Sequence, residues 1–163
     1  MARARTLHIH DLPIPADVQA DAAWPPIMLE MAAHIGAYET LCIVDAFAGQ
    51  DVYVPVDPHR NPFLDIIGAD KAATFTHAFQ RERLPIPAGR RPLEKARRAG
   101  VVAAVRAKRM TVVEGAAILR MPRRHLSRLI SKTDEGSKAT PFVFPARPRD
   151  PAQLDMFDTA PGQ

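Results

Sequence analysis

From Ile27 to Ala48 the apolar residues Ile27, Met31, Ile35, Leu41, Val44 and Phe47 recur at three- and four-residue steps. That stripe predicts amphipathic helix, and Gly36 divides it into two. The pattern then changes. Asp51-Val-Tyr-Val-Pro55 is a short β-branched and aromatic run stopped by proline, which predicts an edge strand. Pro92 opens a further helix, Leu93 to about Lys108, with proline placed at the first turn. Its inner face consists of Leu93, Ala96, Gly100, Ala103 and Ala104, while Arg97, Arg98, Arg106, Lys108 and Arg109 lie elsewhere. Two shorter helices follow, Thr111 to Arg120 and about Pro122 to Lys132. Before Ile27, Pro13, Pro15, Pro25 and Pro26 break any period, so 1–26 reads as a flexible leader. After Gly136, Pro141, Pro145, Pro148 and Pro151 do the same, and 137–163 reads as a Pro-rich disordered tail.

A repeat runs through the first half at an offset of 32 residues. Ile35-Gly36-Ala37 returns as Ile67-Gly68-Ala69, and Ala46-Phe47 as Ala78-Phe79. Val52, Val54 and Pro55 return as Leu84, Ile86 and Pro87. These matches predict a duplicated helix–strand unit; coincidence between two amphipathic helices is the competing reading. Two units are too few for a solenoid, but they suffice for a pseudo-symmetric module or for pairing with a second chain. The expected fold is therefore mainly α with short β-strands. A helical N-terminal dimerisation domain (27–90) carries the duplicated unit, and a C-terminal helix-turn-helix domain occupies 91–136.

Charge sharpens this division. The 163 residues carry a net charge of +4, unevenly spread. Residues 1–80 hold 4 Lys/Arg against 10 Asp/Glu, whereas 81–138 hold 16 against 5. A segment at +11 attracts polyanions, and nucleic acid is the commonest of these in a cytoplasm. The acidic half would be repelled by the same ligand. Absence of any apolar run near ~18 residues argues against a membrane span, and no signal-peptide core follows the N-terminus. With one cysteine, Cys42, no intramolecular disulfide or Cys-based zinc site is possible. The expected setting is a reducing cytoplasm.

Within the basic segment, Thr111 and Glu114 have the spacing of a capping box. Ala116 is small where two helices would cross. Leu119, Met121, Leu126, Leu129 and Ile130 have the spacing that buries the inner faces of a helix-turn-helix. Left outward on the second helix are Arg123, Arg124, Ser127, Arg128 and Lys132. Guanidinium groups suit the major groove, where they read guanine edges while neighbouring cations hold phosphates. Arg123, Arg124, Ser127 and Arg128 are the expected base readers; Lys132, Arg106, Lys108 and Arg109 are the expected phosphate contacts. The plainer reading is a helical hairpin with a solvated basic face. Two positions depart from the usual pattern: Arg120 stands where the turn normally has glycine, and Pro122 where Ser or Thr usually caps the second helix.

Together the two halves resemble the Mor/C family, the middle and late transcription activators of Mu-like phages. The resemblance covers about residues 27–133 and rests on Ala46-Phe-Ala-Gly-Gln-Asp-Val-Tyr-Val-Pro55, a helix ending in glycine before a Val-Tyr-Ile-Pro-like strand, and on the C-terminal helix-turn-helix. It implies a homodimer, with Val52, Tyr53 and Val54 in the linking region. It also implies helix-turn-helix modules on a dyad-symmetric promoter and contact with RNA polymerase. The duplicated unit, the Gly- and Tyr-free second copy Arg81–Pro87 and the tail depart from the family pattern.

Other chemistry is sparse. His8 and His10 lack a third metal ligand nearby and read as solvated leader residues, and no metal or cofactor is expected. Cys42 and His77 fall on opposite repeats and read as structural, and Asp57-Pro-His-Arg60 reads as a turn. No phosphate loop, paired-carboxylate spacing or nucleophile elbow points to an enzyme. In the tail, Gln153-Leu154-Asp155-Met156-Phe157 is similar to the pentapeptide that docks bacterial proteins on the DNA-polymerase sliding clamp. A DNA-tethered adaptor acting through that peptide is the alternative function.

Overall fold

Proline at position 26 and the apolar stripe behind it start the first helix of the computed structural model, which describes residues 7–132. The helices are α1 (Pro26–Ile35), α2 (Ala37–Phe47), α3 (Leu64–Ile67), α4 (Ala69–Phe79), α5 (Arg90–Arg106), α6 (Val112–Leu119) and α7 (Arg123–Lys132). The strands are β1 (Asp51–Tyr53) and β2 (Arg83–Pro85). The chain is mainly helical, with one small sheet among the described residues. No described helix is long and apolar enough to cross a membrane.

The repeat is visible residue by residue. α2 and α4 are each 11 residues long, offset by 32, and each is entered through a glycine of positive φ: Gly36 at +97° and Gly68 at +82°. Met31, Ile35, Ile43, Val52 and Val54 are buried, and so are their counterparts Phe63, Ile67, Phe75, Leu84 and Ile86. Only the first helix of the unit differs. Shifted by 32, Pro26–Ile35 falls on 58–67, where a single 3-10 turn (Pro58–Arg60) and the one-turn α3 replace the continuous helix. Pro62 explains the break, because it lacks an amide donor and pushes Asn61 out of the helical region, to φ −63°, ψ 125°. The buried Asn61 side chain repairs the gap, accepting from the Phe63 amide at 2.8 Å and donating to Thr76 Oγ1 at 2.9 Å.

β1 and β2 pair antiparallel within the chain, Val52 opposite Leu84 and Tyr53 opposite Arg83. Val52, Tyr53 and Val54, expected in a dimer contact, thus have an intrachain partner for their strand. The strand's partner is the second copy of its own unit, and Val52 and Val54 face the chain's own core; Tyr53 alone of the three is exposed.

Residues 7–25 also differ from expectation, for they form a packed strap. Leu12 and Trp24 are buried, and Leu7 and Ile9 lean on the same apolar cluster as α5, α6 and α7. Arg97, 4% exposed, fastens the strap. Its Nε donates to the Leu12 carbonyl at 2.8 Å and its Nη2 to Asp45 of α2 at 2.8 Å, so three segments meet on one guanidinium. Lys95 adds an ion pair with Asp21. The Lys95 hydrogen bond, helped by the Ala23 amide, holds the Asp21 carboxyl below its ordinary value. A depressed carboxylate pKa stabilises above the unfolded value of 3.8 and loses that contribution as pH falls through the folded one. A carbon-detected NMR titration should therefore place Asp21 below 3.8, and Lys95→Ala should return it towards that value.

α5 joins the two apolar clusters instead of ending one and starting the other. Leu93 and Ala96 belong to the cluster of the repeat, while Val101, Val102, Ala104 and Val105 belong to that of α6 and α7. α5 is thus a helix shared by both clusters, and it starts at Arg90, three residues earlier than its apolar pattern indicates.

Candidate nucleic-acid interface

Thr111 and Glu114 form the expected capping box: Thr111 Oγ1 accepts from the Glu114 amide at 3.2 Å, and the Glu114 carboxylate accepts from the Thr111 amide at 3.0 Å. Behind α6, Gly115 packs closely against α5 and α7, a position the apolar pattern does not reveal. A Cβ there would lie 2.8 Å from Val105 Cγ2 and 3.0 Å from Leu126 Cδ2, so Val105 of α5 and Leu126 of α7 would have to shift to admit any side chain. Ala116 is buried beside it. α6 ends with the Met121 amide bonded to the Ala116 carbonyl at 3.0 Å and Arg120 left-handed at φ 51°, ψ 45°. Arginine therefore does occupy the glycine place of the turn, at a local steric cost. Pro122 takes the cap place, its carbonyl accepting from the His125 and Leu126 amides at 2.9 and 3.2 Å.

α7 buries Leu126 and partly buries Leu129 and Ile130. At 3.6 residues per turn, Arg124 and Arg128 stand one turn apart at the middle of the opposite arc. Ser127 lies beside them, Arg123 and Lys132 flank them, and all five are exposed. His125 and Ser131 share that arc and escaped the sequence reading, although Ser131 lies seven residues after Arg124 on the same stripe. The Ser131 hydroxyl donates to the Ser127 carbonyl at 3.0 Å. No acidic residue occurs in α7, so its exposed arc is uniformly cationic or neutral.

Lys108 and Arg109 are exposed in the turn between α5 and α6, with Lys108 left-handed at φ 57°. Arg106 does not join them. It is half-buried, and its Nη2 donates to the Ile130 carbonyl at 3.1 Å, satisfying one of the open carbonyls at the end of α7. Arg106, an expected phosphate contact, thus braces α5 against α7. His8 is placed against the turn as well. Its Nδ1 lies 3.3 Å from Arg120 Nη2, and because guanidinium only donates, the imidazole nitrogen accepts.

Among the described residues, no group of three or more His, Cys, Asp or Glu could hold a metal ion. Cys42 is half-buried, and burial pushes its thiol up, which favours the neutral form over a nucleophilic thiolate. Gln153, Leu154, Asp155, Met156 and Phe157 lie outside the described residues. No family model, curated protein or solved structure matches the chain.

Proposed function

We propose that the protein is a sequence-specific DNA-binding transcription regulator whose reading element is α7. The observation that carries this reading is the exposed arc of Arg123, Arg124, Ser127, Arg128 and Lys132. It projects without a single acidic residue from the last helix of a three-helix arrangement fixed at Gly115 and Leu126. Arg124 and Arg128 enter the major groove, where a bidentate guanidinium distinguishes guanine, and Ser127 approaches either purine or pyrimidine edges. Lys108, Arg109 and Lys132 hold phosphates at the two ends of that contact. The acidic residues of the first half keep the repeat away from the duplex, so the repeat serves as a base and not as a second binding face.

Likeness to the Mor/C activators supports the further proposal that the regulator activates, through RNA polymerase. This part rests on the helix–strand motif at Ala46–Pro55 and on the helix-turn-helix together.

The reading is tested by salt. Each phosphate neutralised on a duplex contributes roughly −0.9 to the slope of log affinity against log salt. Lys108→Ala with Arg109→Ala should weaken binding about equally on all sequences and make that slope shallower by roughly 1 per residue. An unchanged slope would remove the α5–α6 turn from the interface.

A further inference from the structure

The repeat closes on itself in the manner of a dimer. Under the 32-residue shift the strand pair maps onto itself, with Val52 opposite its own counterpart Leu84. The flanking hydrogen bonds do the same. The Gly49 amide reaches the Ile86 carbonyl at 2.9 Å, and its equivalent, the Arg81 amide, reaches Val54 at 2.8 Å. The Ile86 amide reaches Gln50 at 2.8 Å, and Val54 reaches Glu82 at 2.9 Å, again as an equivalent pair. Even the backbone obeys the shift, for Gly49 and Arg81 are both left-handed, at φ +74° and +65°. A contact in which residue i meets j and j's equivalent meets i's is the signature of an isologous, two-fold interface. Here both sides belong to one chain.

The two copies have also become complementary. Glu39 and Lys71 are equivalent under the shift, and they form an ion pair with each other. Were two first copies from different chains to meet in this way, Glu39 would face Glu39. Like charges at the dyad act against that pairing. Pro62 makes the copies still less interchangeable, since the second cannot build a continuous α1. The described residues therefore carry two copies of the pairing unit but one α7. A dyad-symmetric operator is read by two recognition helices about one helical turn apart, one from each chain of a dimer.

We infer that a single chain is the complete reading unit, and that its DNA partner is one non-palindromic element contacted by one α7. This rests on the DNA-binding reading proposed above. It adds the class of site, and it removes the second chain that the family resemblance implies.

The test combines sedimentation equilibrium of the full chain at micromolar concentration with selection of sites from a random duplex library and sedimentation on the winning duplex. The expected result is a monomer in solution, a selected motif without dyad symmetry and one chain per duplex. Selection of an inverted repeat occupied by two chains would overturn the inference and leave α7 as a DNA reader. A stable dimer in solution would overturn the self-contained repeat directly, whatever the DNA result. A monomer that selects no sequence would instead overturn the DNA reading and the site class with it, while the internal pairing stood.

Discussion

Replacing Arg124 and Arg128 together by alanine is expected to abolish preference for the selected duplex while leaving the protein as stable as before. Both side chains are exposed at the centre of the α7 arc and take no part in the core. Surface substitutions of that kind usually change stability by less than about 0.5 kcal/mol. A guanidinium that reads a base edge is worth roughly 1–3 kcal/mol, or about 5- to 150-fold in affinity for each residue. The loss should be much larger on the selected sequence than on random duplex, because the proposed phosphate contacts at Lys108, Arg109 and Lys132 would persist in the variant. Fluorescence anisotropy on both duplexes measures the difference. Equal losses on the two would make Arg124 and Arg128 phosphate contacts, and no loss on either would move the reading surface off α7.

The second large effect is on stability. Arg97→Ala should destabilise the fold by about 2–4 kcal/mol, since hydrogen bonds to a charged partner are worth ~1.5–3 kcal/mol each. The partly exposed Asp45 recovers some of that loss by hydration. The variant leaves the Leu12 carbonyl without its Arg97 donor and removes the tie among strap, α2 and α5. For a domain of this size the unfolding midpoint should fall by roughly 10 °C. Trp24, the only tryptophan and itself buried in the strap, reports the change through its fluorescence. Arg98→Ala is the control. It alters the next residue on the same helix, which is exposed, and should leave the midpoint nearly unchanged.

The arginines show which features a sequence carries and which it does not. Arg97, Arg106, Arg124 and Arg128 belong to one basic segment, and charge alone cannot separate a buried fastener from an exposed side chain. Periodicity separated them on α7, where the stripe of Leu126, Leu129 and Ile130 is unbroken. On α5 it did not, because that helix packs against the repeat at one end and against α6 and α7 at the other. Its buried face widens accordingly to include Arg97. The strap was illegible for a different reason. Prolines remove the helical period, and a chain segment held by Leu7, Ile9 and Leu12 in extended and 3-10 geometry needs none.

The capping box at Thr111, the helix break at Gly36 and the 32-residue repeat were all legible, because each depends on local chemistry at fixed spacing. What the repeat could not reveal was its partner. An apolar strand such as Val52–Val54 pairs as readily with another chain as with its own, and only the fold selects Leu84. The closeness at Gly115 was hidden too, since a glycine inside a helical pattern looks like a propensity defect until the neighbouring helices are in place.

The central claim, that α7 is the element that meets DNA, is tested most directly by amide NMR of the full chain titrated with its selected duplex. The account predicts the largest shifts at Arg123–Lys132, smaller ones at 108–112, and none along β1 and β2. Shifts concentrated on the repeat, with Arg124 and Arg128 unmoved at saturation, would contradict it.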